Sequence, residues 1–205
     1  MPLDFEALVD PSHTALVTQE IQRGVIGGGS ALPELAEAAQ AILPNIAKLV
    51  EAARDAGAPV LHCTAIRRAD GFAANRNARI FQYMAKQGPQ LVPGSESAEI
   101  VPEIAVADSD LVLQRLHGLS PFQGTELDFL LRNLGVTTIV GVGVSVNVAI
   151  TNFSFDAVNA GYQMVLPRDG VAGFPQEYVD AVFQHTLGAV ATLTDTSSLL
   201  AAWKR

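Results

Sequence analysis

Val136-Thr137-Thr138-Ile139-Val140-Gly141-Val142 reads as an apolar strand, and Gly143-Val144-Ser145-Val146-Asn147-Val148-Ala149-Ile150-Thr151 carries it straight into a helix from about Val146 to Asn159. A strand of this kind belongs in the middle of a parallel sheet, where helices cover both faces. Outward from it the same alternation repeats. Toward the N-terminus, His13 to Ile21 reads as a strand, followed by the loop Gly27-Gly28-Gly29. Leu32 to Ala56 is a helical pattern that Pro44 should bend or split and Gly57 should end. Pro59 to Ala65 is a second strand, and Asn75 to Gln87 a helix with Ile80, Phe81 and Met84 on one face. Residues 88–102 read as a loop and Asp110 to Gln114 as a third strand. Thr125 to Asn133 is a helix opened by a threonine cap. Beyond the quoted stretch come a strand from Tyr162 to Leu166, a helix from Pro175 to Val190, a short strand Thr192 to Thr194 and a last helix Leu199 to Trp203.

This order predicts an α/β protein: a single domain over residues 1–205, doubly wound, with a mainly parallel sheet of about six strands and helices on both faces. Ligands in such sheets bind beyond the C-terminal ends of the strands. Four segments therefore converge on one mouth: Glu20, His62 to Arg68, Arg115 to His117, and Ser145 to Ala149.

The bulk properties narrow the partners. A chain of 205 residues buries roughly 70% of its unfolded surface and needs no disulfide or metal staple. A net charge of −8 disfavours nucleic acid and anionic membrane, yet an anionic small molecule needs only one or two local cations. No apolar run reaches the ~20 residues of a membrane span. The N-terminus lacks the basic region and apolar core of a signal peptide. The single cysteine, Cys63, has no intrachain partner for a disulfide. The expectation is a cytoplasmic protein with a small-molecule ligand, no cofactor, no nucleic acid and no membrane.

The Gly143 to Thr151 stretch, with Asp156-Ala157 and Gly161-Tyr162 after it, resembles the signature of the isochorismatase-like cysteine hydrolases. Ala15-Leu16-Val17-Thr18-Gln19-Glu20-Ile21-Gln22 and Ser120-Pro121-Phe122-Gln123-Gly124-Thr125-Glu126-Leu127 extend the resemblance over most of the chain. It implies the family's Rossmann-like three-layer fold. It also implies that Glu20 stands at the catalytic aspartate and that Arg115 is the nearest match to the catalytic lysine. Ala149 then occupies the position of the nucleophilic cysteine, six residues after Gly143. A methyl group attacks nothing. The family's metal site needs an aspartate with nearby histidines; the sequence has no Asp-x-His and no close histidine pair, so no metal is expected. Homodimers or homotetramers are implied, with Leu199-Leu200-Ala201-Ala202-Trp203 as an apolar surface able to support them.

Each candidate has an alternative reading. Glu20 is an acid at a strand tip, or an ordinary loop glutamate. Arg115 stays protonated near neutral pH, so it binds negative charge and shuttles no proton; the alternative is a structural ion pair, including one with Glu20. His117 is placed to hydrogen-bond a ligand or to pack its loop. Ser145 and Asn147 lie in the turn whose amides would hold an oxyanion, and Ser145 as nucleophile lacks an evident base. Gln22 and Arg67 are further candidates to bind substrate, Arg67 through a carboxylate or as part of a solvated loop. Cys63 is either a relocated nucleophile or a small core residue, and its strand neighbour His62 faces the other side of the sheet.

Three functions stay open. One is hydrolysis of a small anionic substrate without a covalent intermediate, with Glu20 as acid. Another is a catalytically silent member that binds a ligand or assembles with other subunits. The last is an amidohydrolase using Cys63.

Overall fold

The computed structural model describes residues 4–87 and 91–204. The chain opens with a single turn, α1 (Phe5–Leu8), capped by Asp4, and enters β1 (Thr14–Gln19). Three helices follow: α2 (Arg23–Ile26), α3 (Pro33–Gln40) and α4 (Leu43–Asp55). The long helical pattern is thus two helices. Pro44 lies in the first turn of α4, where a missing N–H costs nothing, so it starts a helix and does not kink one.

Next come β2 (Val60–Ala65), α5 (Arg79–Gln87) and β3 (Leu111–Arg115). Then follow α6 (Leu127–Asn133), β4 (Thr138–Val144) and α7 (Ala149–Asn159). The chain closes with β5 (Gln163–Pro167), β6 (Val171–Ala172), α8 (Gln176–His185), β7 (Thr192–Thr194) and α9 (Thr196–Trp203). Within the loop expected over 88–102, residues 88–90 lie outside the described residues, and Glu96–Ala98 form a 3-10 turn.

The sheet has seven strands in the order β3-β2-β1-β4-β5-β7, with β6 pairing to β4, and every pair is parallel. The strand missing from the sequence reading is β6. At two residues it is too short to carry a period. Every residue of β4 is buried, as its composition demands for a central strand. Side chains alternate between two cores. Leu16 packs with the α3, α4 and α9 layer, while Ala15 and Val17 face the α6, α7 and α8 layer.

The C-terminal helix divides its apolar residues between the core and the surface. Leu199 and Trp203 are buried in the chain's own core, and the Trp203 indole N–H donates to the Val9 carbonyl at 2.8 Å. Asp195 caps α9 by accepting from the Ser198 amide at 2.8 Å, which starts the helix earlier than its apolar residues suggest. Leu199 and Trp203 of that apolar stretch therefore serve the fold, while Leu200 and Ala202 are half-buried and Ala201 is exposed.

Candidate functional site

The mouth forms where β1, β3 and β4 end together. Gly143, near the end of β4, has φ +114°, and a Cβ there would sit 2.3 Å from the Gln19 carbonyl oxygen. Only glycine lets the two strand ends close to this distance. Just beyond Gln19, the Glu20 backbone is left-handed at φ +53°, and its N–H donates to the Cys63 carbonyl at 2.9 Å. A non-glycine residue held there is uncommon, and the conformation turns its side chain off the strand line.

Arg115, the last residue of β3, reaches that side chain: its Nη2 donates to Glu20 Oε1 in an ion pair. The Arg115 side chain is 6% exposed and that of Glu20 17%. Gln19 Nε2 donates to the same carboxylate at 3.1 Å, and Arg115 Nε makes a long contact of 3.4 Å to the Gly118 carbonyl. Arg115 Nη1 is buried without a hydrogen-bond partner. Asn75 clamps the loop after Arg115 by accepting from the Gly118 amide at 2.8 Å.

A cavity of about 180 Å³ opens over the pair. Glu20, Arg115, Ser145 and Ala149 line it, together with Arg67 and His117. Apart from Asn75 its remaining wall is largely apolar, and the Ile80, Phe81 and Met84 face of α5 supplies part of it. Ala149 is the first residue of α7 and lines the cavity, so the positive dipole end of the helix lies at this space. Ser145 shapes the approach: its carbonyl accepts from the Val148 and Ile150 amides at 3.2 and 2.9 Å. The peptide between Val144 and Ser145 is cis.

The structure brings Glu20, Arg115, Ala149, Ser145, His117 and Arg67 to one cavity. It does not bring Gln22 or Asn147 there. Gln22 is fully buried; its side chain donates to the Ala65 and Ala98 carbonyls and accepts from the Ala65 amide, so all its capacity holds backbone together. Asn147 pairs both ways with the Phe174 backbone and secures the turn from outside the cavity.

Cys63 is also elsewhere. It is buried against Leu113 and Pro121 beneath the sheet end and is not part of the cavity wall. Burial pushes its thiol up to about 12, with Arg115 opposing and Glu20 adding to the shift. A thiol of that kind holds almost no thiolate at neutral pH.

Sequence reasoning missed the group on the far side of β2. Buried His62 bonds Thr18 through Nδ1 at 2.8 Å and Asp110 through Nε2 at 3.2 Å, and Arg54 pairs with the same carboxylate. Burial lowers the His62 pKa, opposed by Asp110. No spacing rule joins residues 18, 54, 62 and 110. Among the described residues no three His, Cys, Asp or Glu side chains gather in a way that could hold a metal ion, and no helix is long and apolar enough to cross a membrane.

Comparison with known proteins places the chain in a family and a fold. A family model described as "Isochorismatase domain" matches residues 14–198. The Bacillus subtilis (strain 168) isochorismatase family protein YwoC is 28% identical over 202 residues, covering 94% of this chain and 95% of its own. An Arabidopsis thaliana protein named "Probable inactive nicotinamidase" is 28% identical over 156 residues, 75% of this chain and 76% of its own. The crystal structure of a cysteine hydrolase from Pseudomonas syringae pv. phaseolicola 1448A superposes with a TM-score of 0.83 at 21% identity, covering 96% of this chain and 95% of that one, a likeness of fold.

Proposed function

Because the chain belongs to the isochorismatase family, we propose that it is a hydrolase that adds water to a small substrate without forming a covalent enzyme intermediate. The observation that carries this reading is the alanine at the head of α7, sharing a cavity with the ion pair of buried Arg115 and half-buried Glu20. Among the described residues the cavity wall holds no cysteine, but it does hold a carboxylate able to move protons.

In the resting site the Glu20 carboxylate is engaged by Arg115 and the Gln19 amide, so it enters the reaction as a proton acceptor. It takes a proton from water as the water oxygen bonds to the substrate carbon. The negative charge that develops on the substrate oxygen is stabilised by the positive dipole end at the head of α7. When the carbon–leaving-group bond breaks, Glu20 returns its proton to the leaving atom. This refines the acid role expected from sequence: Glu20 is base first and acid second. Arg115 stays charged throughout and stabilises anionic groups at the mouth. The thiol reading loses its physical basis, since Cys63 is protonated and outside the cavity wall.

A second reading is a silent binding protein, and one observation favours it: Arg115 already neutralises the carboxylate that must do the work. Screening purified protein against amides and ureas separates the two. Turnover that Glu20→Gln abolishes supports the hydrolase. Robust ligand binding with no turnover of any class supports the silent protein. Self-association into dimers or tetramers belongs to this proposal as well, through surfaces other than the buried face of α9.

A further inference from the structure

We infer that the cavity takes a small monocarboxylate with an apolar body of about six carbon atoms, and that Arg67 selects its negative charge; this rests on the site proposed above but on none of its chemistry. Two arginines line the space, and each has a buried donor with nothing to bond: Nη1 of Arg115 and Nε of Arg67. Arg115 already gives Nη2 to Glu20. Arg67 has no such neighbour: among the described residues no carboxylate lies within ion-pair reach of it, and its Nη1 makes only a 3.4 Å contact to the Met84 carbonyl. Its backbone is fixed, because the Arg67 amide donates to the Leu91 carbonyl at 2.9 Å across the cavity wall.

The charges make the same point. Glu20, Arg67 and Arg115 are the fixed charges on the lining, two positive and one negative, and they leave one positive charge in excess when His117 is neutral. This is a local reversal in a chain whose net charge is −8. A carboxylate offers two acceptor oxygens and one negative charge, which matches both the unmet donors and the excess. A dianion would overshoot the balance and would have to shed its water beside Val25, Leu35, Ile80, Phe81 and Met84. For size, the cavity of about 180 Å³ is slightly larger than the ~150 Å³ apolar cavity that accepts benzene. A six-membered ring or a six-carbon chain fills it.

The test is calorimetric titration of the wild-type protein and Arg67→Met with benzoate, hexanoate, benzamide as the neutral isostere of benzoate, and inorganic phosphate. Benzoate or hexanoate is expected to bind the wild type at least about ten-fold more tightly than benzamide, the scale of one charge-assisted contact. Arg67→Met, which keeps the apolar stem, should erase that preference, and Arg67→Lys should restore part of it. Thermal unfolding of each variant confirms that it is folded. Equal binding of benzamide and benzoate, stronger binding of phosphate than of either carboxylate, no binding of either carboxylate, or an unchanged preference in Arg67→Met would each overturn the inference. Binding is read without turnover, so the two ideas fail separately. A protein that binds benzoate and hydrolyses nothing sinks the hydrolase alone, and one that hydrolyses neutral amides with no carboxylate preference sinks this inference alone.

Discussion

Glu20→Gln and Arg115→Met, made singly and together, measure how tightly the pair at the mouth is coupled. Removing one partner from a fully buried ion pair costs ~3–5 kcal/mol, because the survivor keeps an uncompensated charge. Two features lower that figure here. Glu20 is 17% exposed, so water reaches its carboxylate. A glutamine oxygen also still accepts from Arg115 Nη2, which preserves a charge-assisted hydrogen bond. Glu20→Gln should therefore cost about 2 kcal/mol, chiefly from the stranded guanidinium, which is 6% exposed and already has one unmet donor. Arg115→Met should cost a similar amount by leaving Glu20 with the Gln19 amide as its remaining side-chain donor. The double variant removes both charges, so its cost should be close to that of either single variant, a coupling of about 2 kcal/mol. In a domain of this length each single variant lowers Tm by roughly 4–8 °C. Urea unfolding with unchanged m-values gives the three free energies directly. Losses that add to within about 0.5 kcal/mol would show that the two side chains act independently and refute the pair as a unit.

Three further outcomes follow from the same contacts. His62 is buried with a lowered pKa, so below its ordinary value of 6.5 the unfolded chain binds a proton that the folded chain refuses. Stability is complete above that value and falls as pH drops from it, by at most about 1.4 kcal/mol per unit for one proton. Asp110, also lowered, adds its own loss only once pH nears 3.8, and His62→Gln should flatten the curve between pH 6.5 and 5 in urea titrations at fixed pH. Cys63, pushed up to about 12 by burial, should resist iodoacetamide in the native protein at pH 8 and react once urea unfolds it; fast native labelling would contradict its placement. Ala149→Cys puts a thiol at the head of α7 beside Glu20, and with an activated ester it should gain one acyl group by intact mass where the wild type gains none. An unmodified Ala149→Cys protein would mean that the helix head is not where substrate carbon sits.

The sheet was legible because its signals are local. The buried strands β1, β2 and β4 announce themselves in composition, and Gly57 and Gly135, both at positive φ, mark where helices stop. The split at Pro44 was legible as a break, though only the fold shows that the proline opens the second helix. Convergence of Glu20, Arg115 and Ala149 followed from parallel topology, which brings strand ends together whatever their separation in sequence. Side-chain commitments were hidden. Gln22 looks free to bind a ligand until its three backbone partners are seen, and Asn147 looks like an oxyanion donor until Phe174 takes it. Which residues of the C-terminal apolar run turn inward is hidden too, because nothing in the sequence says that Val9 and α4 wait beneath Leu199 and Trp203. The Arg54–Asp110–His62 group was out of reach for the same reason, since its members come from three elements with no shared motif.

Water addition driven by Glu20, with no thiol involved, is tested most directly by kcat/KM for Glu20→Gln and Cys63→Ala on one substrate found to turn over, measured side by side with the wild type. A proton-transfer residue contributes roughly 10²–10⁴-fold, so Glu20→Gln should fall by about that factor while Cys63→Ala keeps the wild-type rate. An active Glu20→Gln protein, or a dead but folded Cys63→Ala protein, would contradict it.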